Sequence, residues 1–146
     1  MRKIITILLI IISFFSAGDM TKVNITPEKE IKAGDTSAVF MFENKTGKTL
    51  DLNIFVESVE MKKDGKWKEV PFDQMLDDVD FVYPSKLYPG EKTDIQVLFQ
   101  QRAVYSQAVP MPLEAGNYRL TVSYKTKGYR TVKEGKKTVE FTVMPA

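Results

Sequence analysis

The sequence predicts an all-β sandwich of about seven to eight short antiparallel strands. Three observations predict it. Apolar residues recur at every second position in several short segments, and turn-forming residues separate those segments. No segment of helical period and convincing length follows residue 18.

Residues 1–18 follow another grammar. Met1-Arg2-Lys3 is positively charged, Ile4 to Phe15 is almost unbroken Ile, Leu and Phe, and Ser16-Ala17-Gly18 supplies small residues before Asp19. That order is a secretory signal peptide. Its apolar run is about a dozen residues, where a spanning helix needs roughly twenty. Cleavage after Gly18 is expected, leaving one domain over 19–146, no transmembrane span, and a secreted or envelope-associated product.

Each later element has a local reason. Thr21 to Pro27 predicts a first strand and Glu28–Asp35 a turn. Ser37 to Glu43 predicts a strand with Phe40 and Phe42 on one face and Val39 and Met41 on the other. Asn44-Lys-Thr-Gly-Lys48 predicts a turn, with Gly47 free to take positive φ. Leu50, Leu52, Ile54 and Val56 alternate, but Val59 and Met61 fall out of phase. A one-residue slip turns every side chain over, so a bulge is expected near Glu57-Ser58. Asp64-Gly65 predicts a tight hairpin returning through Lys66–Val70 to Pro71.

Phe72 to Ser85 is irregular and acidic, and predicts a helical turn or a loop across one end of the sandwich. Pro89-Gly90 marks a turn, and Thr93 to Gln100 a strand with Ile95, Val97 and Phe99 inward. Gln101 to Pro112 predicts a long connection, since Pro110-Met111-Pro112 opposes regular pairing. Tyr118, Leu120, Val122 and Tyr124 form one alternating strand and Val139, Phe141 and Val143 another. A basic hairpin, Lys125 to Lys137, joins them.

Composition excludes several function classes. The chain has no cysteine, so it holds no disulfide and accepts no lipid at a thiol; Asp19 stands where a lipobox would place cysteine. It has no histidine, which removes Ser-His and Cys-His nucleophile pairs and His- or Cys-based zinc sites. Without residues 1–18 the basic and acidic residues balance at 19 each, which argues against nucleic-acid binding.

Leu113-Glu-Ala-Gly-Asn-Tyr118, continuing as Arg-Leu-Thr-Val122, resembles the corner that leads into a late strand of an immunoglobulin-like sandwich, where a tyrosine bonds back to the preceding residues. With Asn44 after an apolar strand, Lys-Asp-Gly-Lys-Trp-Lys-Glu-Val-Pro71 and Tyr-Pro-Gly-Glu91, the order is similar to bacterial Ig-like domains of small Gram-positive envelope proteins and lipoproteins. The resemblance covers about Thr36 to Tyr124. It implies an immunoglobulin-like β-sandwich and brings no catalytic residues or cofactors.

Three candidate sites follow. Lys125, Lys127, Arg130, Lys133, Lys136 and Lys137 face one acid, Glu134, and would attract an anionic polymer or a partner; the alternative is that lysines guard an open strand edge. Trp67, Tyr105 and Tyr129 are candidate contact aromatics, although Trp67 just after a hairpin favours packing over the sheet edge. Asp73, Asp77, Asp78 and Asp80 supply oxygens for calcium but lack the spacing of an EF-hand, so a solvated loop is the preferred reading. Asn24-Ile-Thr26 and Asn44-Lys-Thr46 match a glycosylation pattern, which the Asn44 turn already explains.

The function read from this sequence is an exported, non-catalytic and monomeric interaction module without cofactor, binding an envelope protein or an anionic wall polymer. The alternative is a secreted protease inhibitor or regulator acting through the 101–112 loop.

Overall fold

The computed structural model describes residues 23–51, 53–75, 86–102, 107–127 and 132–146. The expected signal peptide, Asp77, Asp78, Asp80, Tyr105, Tyr129 and Arg130 lie outside them. The described strands are β1 (Val23–Pro27), β2 (Ile31–Lys32), β3 (Ser37–Asn44), β4 (Leu50–Asp51), β5 (Phe55–Lys63), β6 (Lys66–Glu69), β7 (Phe72–Met75), β8 (Lys86–Leu87), β9 (Lys92–Arg102), β10 (Ala108–Pro110), β11 (Gly116–Lys127) and β12 (Val132–Met144).

They form two sheets. In one, β1, β3 and β9 lie side by side, and β7 and β10 also pair with β9. In the other, β2, β12 and β11 are neighbours; along the far side of β11 run β5, which carries β6, and β4, which carries β8. Every pairing is antiparallel except β2 with β12.

Alternation builds the core. Ala38, Phe40, Phe42 and Asn44 of β3, Ile95, Val97 and Phe99 of β9, and Tyr118, Leu120 and Val122 of β11 are all buried. The sheets interlock through rings: Phe40 meets Phe141 edge-on at 5.1 Å between centroids, and Phe42 meets Tyr124 at 5.7 Å. Edge-to-face contact suits the ring quadrupole.

The expected bulge is present. Thr121 faces Ser58 and Val122 faces Val56, so Glu57 is the extra residue that returns Val56 and Val59 to the same buried face. The β5–β6 turn places Asp64 at φ 52° and Gly65 at φ 75°, the paired left-handed conformations of a two-residue hairpin.

Four expectations are corrected. The strand count exceeds seven to eight because β2, β4, β8 and β10 are pieces of two or three residues, too short to show a period. Phe72–Met75 is strand β7 rather than a loop or helical turn: Phe72 faces Phe99 across β9 and packs against the core. The 101–112 segment is not one long connection, since Gln101 and Arg102 pair with Val109 and Ala108. Proline is tolerated there because Met111 N–H donates to Phe99 O at 2.9 Å, which turns the ring nitrogen of its neighbour Pro110 away from β9. Gly47 does not take positive φ. Asn44 holds that turn instead: its fully buried amide donates to Lys48 O and Leu87 O, each at 2.9 Å, and its Oδ1 accepts from Thr46 N–H at 2.9 Å. An amide so committed is no glycan acceptor.

Candidate functional site

The basic hairpin is the end of the β11–β12 ladder, which keeps constant register from Gly116↔Val143 to Lys127↔Val132. Because side chains alternate across a strand, register assigns faces. Tyr118, Leu120 and Val122 are buried, so their β12 partners Phe141, Val139 and Lys137 share the core-side row, and Lys133 opposite Thr126 extends it. Lys125 and Lys136 belong to the outer row. The described lysines are therefore divided between two faces rather than gathered into one patch.

Acids offset the outer pair. Lys136 Nζ lies 2.9 Å from Glu57 Oε2, a contact that raises the lysine pKa. Lys125 stands directly opposite Glu134. The Glu57 carboxylate beside Lys136, with Glu134 opposite Lys125 in register, shortens the reach of the field that an anionic polymer would feel.

Gly135 sits opposite Tyr124 and makes the hairpin's tightest packing. A Cβ built there would lie 2.5 Å from Tyr124 Cζ and 2.8 Å from its hydroxyl. The tyrosine ring thus covers the glycine backbone from the core side, an aromatic cover on an edge glycine. Burial raises the Tyr124 pKa.

Trp67 is outside the core cluster and half-buried on the outer face, where it pairs with Lys62. The Arg119 guanidinium lies 4.4 Å from the ring centroid and Lys62 Nζ 5.9 Å. Arg119 also grips Glu60 with both ends of its fork, Nε to Oε1 at 2.8 Å and Nη2 to Oε2 at 3.1 Å. That hydrogen bond holds the Glu60 carboxyl below its ordinary range. The ring is a platform for Arg119, and a sugar stacking on that side would have to displace the guanidinium. Trp67 thus packs over the outer face of the sheet, outside the core cluster.

Asp73 of β7 accepts a hydrogen bond from Gln100 Nε2 on the neighbouring strand. Among the described residues no group of three or more acidic side chains is placed to hold a metal ion. Of the tyrosines, Tyr118 forms the expected corner: its hydroxyl donates to Glu114 O at 2.7 Å while the ring is almost wholly buried. Burial is the main cause of its raised pKa.

Sequence reasoning missed the open seam between the sheets. Glu57, Ser58, Val59, Glu69, Val70, Pro71, Phe72 and Gln100 line a groove of about 550 Å³ there. It adjoins a second hollow of about 240 Å³, which shares Glu69, Val70 and Pro71 and reaches Met61, Met111 and Pro112. Beside it, Gln74 bridges the sheets: its Nε2 donates to Ile54 O at 2.7 Å and its Oε1 accepts from Val56 N–H at 2.8 Å. The only sequence signal was the phase slip at Glu57, which opens the edge of β5.

Residues 19–142 match the family described as Bacterial Ig-like domain. The chain belongs to that family. As a bacterial Ig-like domain it is a non-catalytic binding module, and no helix among the described residues is long and apolar enough to cross a membrane. Among solved structures it is similar to an ASH/PapD-like domain of human CEP192 (PapD-like domain 7), with 11% identity, TM-score 0.44, and coverage of 87% of this chain and 88% of that one. The YadV chaperone gives 14% identity and TM-score 0.46 over 85% of this chain and 52% of its own, so the bacterial Ig-like domain spans about half of that protein. No curated protein matches the chain.

Proposed function

We propose that the protein is an exported interaction module of the bacterial cell envelope that binds a partner protein, using the β11–β12 hairpin as one contact. The observation that carries this reading is the family match across 19–142, which is a binding scaffold without catalytic chemistry. The absence of histidine and cysteine accords with it. A protein partner is favoured over a wall polymer because the described lysines are split between two faces and the outer ones sit beside Glu57 and Glu134. Such an alternation of charge suits a patterned protein surface better than a uniform polyanion.

The test is crosslinking in the exporting host of the tagged full-length protein, with mass spectrometry of every adduct. A discrete heterologous adduct that disappears in the Lys125→Gln, Lys133→Gln, Lys137→Gln variant is expected. Recovery of the uncrosslinked protein alone would sink the stable-partner reading, and an adduct that survives the triple variant would move the contact away from the hairpin.

A further inference from the structure

The longest described strand, β12, has an open edge. Among the described residues β12 pairs with β11 from Val132 to Val143, but on its other side only Val143 and Met144 are covered, by the short parallel strand β2. Met144 O accepts from Ala33 N–H on that side at 2.7 Å. Alternation then turns the N–H and C=O of Glu134, Lys136, Thr138 and Glu140 toward the same open side, and those of Lys137, Val139 and Phe141 toward β11. A row of unpaired backbone groups is a template for another strand.

We propose that a second copy of this chain pairs with that edge, β12 against β12, around a two-fold axis at Thr138. The register follows from charge. Centred on Thr138, an antiparallel pair places Lys136 opposite Glu140 of the second copy, twice by symmetry, with Gly135, which has no side chain, opposite the bulky Phe141. Centres at Lys136, Lys137 and Glu140 each put a charged residue against its own copy, and at a centre on Gly135 the pairing of Glu134 with Lys136 is cancelled by Lys133 against Lys137. A centre at Val139 brings no opposite charges together and shortens the overlap. Lysines commonly guard such an edge, and here they oppose the other registers while leaving one favourable. The pairing spans residues 135–141, a contact about 23 Å long. It merges the two seven-stranded sheets into one and makes an isologous interface. An edge contact of this size belongs to the weak class, so the dimer depends on concentration.

Sedimentation equilibrium on the purified protein from micromolar to millimolar concentration tests it. The wild type is expected to dimerise, and Lys136→Glu and Glu140→Lys, each of which repels its own copy, to associate about tenfold more weakly. Mixing the two variants restores both ion pairs, so the mixture should form a heterodimer as tight as the wild-type dimer. Thr138→Pro keeps every backbone hydrogen bond to β11, because the Thr138 N–H points outward, and gives up only the exposed hydroxyl contact with Thr121 at 2.9 Å; it should leave the circular dichroism unchanged while abolishing association. A wild type that stays monomeric throughout, or a mixture no tighter than either variant alone, overturns the proposal.

Discussion

At the scale of single residues, close approach decides more than propensity does. Gly135 lies in a long strand, where glycine is ordinarily a weakness for lack of a packing side chain. Here the Tyr124 ring occupies the space, and that ring is itself held edge-on by Phe42 at 5.7 Å. Gly135→Ala is therefore expected to destabilise the fold by about 1–3 kcal/mol through overpacking, although alanine suits a strand better. Urea unfolding measures the loss. The cause is separable by a double-mutant cycle: with Tyr124→Ala already made, Gly135→Ala should cost almost nothing. Equal costs in both backgrounds would show that the backbone, and not the ring, demands glycine. Arg119 illustrates the same point on the outer face. One guanidinium covers Trp67 and neutralises Glu60, which uses up an aromatic that composition alone would offer to a ligand.

At the scale of elements, legibility tracked whether burial was one-sided. Strands β3, β9, β11 and the second half of β12 bury alternate residues, so their period stands out in the sequence, and the phase slip at Val59 marks the bulge. Strands β2, β7 and β10 were not legible: each is four residues or fewer, the partners of β2 and β7 lie far along the chain, and Pro110 and Pro112 mask β10. The candidate site was legible as composition but not as arrangement. The run of lysines near Lys125–Lys137 is plain in sequence, yet only the register shows that Lys133 and Lys137 leave the face that holds Lys125 and Lys136. Gln74 had no signal at all, because its role depends on β7 lying beside β5. Its amide serves the β5 edge as a peptide group would, donating to Ile54 O and accepting from Val56 N–H. Gln74→Ala strips a partner from both and is expected to cost about 1–3 kcal/mol. Hydrogen exchange gives the sharper readout: the Val56 amide should lose protection while Leu120 and Val122 keep theirs. An unchanged Val56 amide would mean that the side-chain bridge is dispensable.

At the scale of the whole molecule, no cysteine is available to staple the sheets, so cohesion rests on packing and on hydrogen-bonded bridges such as those of Gln74 and Asn44. Phe40, Phe42, Phe99, Tyr118 and Leu120, all fully buried, draw from both sheets, and each of these residues lies well after residue 22. The apolar run at Ile4 to Phe15 has the length and the flanks of an export signal. The family match begins at residue 19, where cleavage after Gly18 would leave the new terminus, and β1 starts four residues later at Val23. A cut before Asp19 would fall four residues ahead of Val23, which pairs with Asn44. Protein recovered from the exporting host is therefore expected to begin at Asp19. It should focus at a lower pH than the precursor, whose pI is about 8.7, because Arg2 and Lys3 are gone and 19 basic residues face 19 acidic ones. Intact-mass measurement with N-terminal sequencing decides it. A recovered chain that still carries Met1 to Gly18 and fractionates with membranes would make the apolar segment a retained anchor, and would tether the open β12 edge to the envelope surface instead of releasing it.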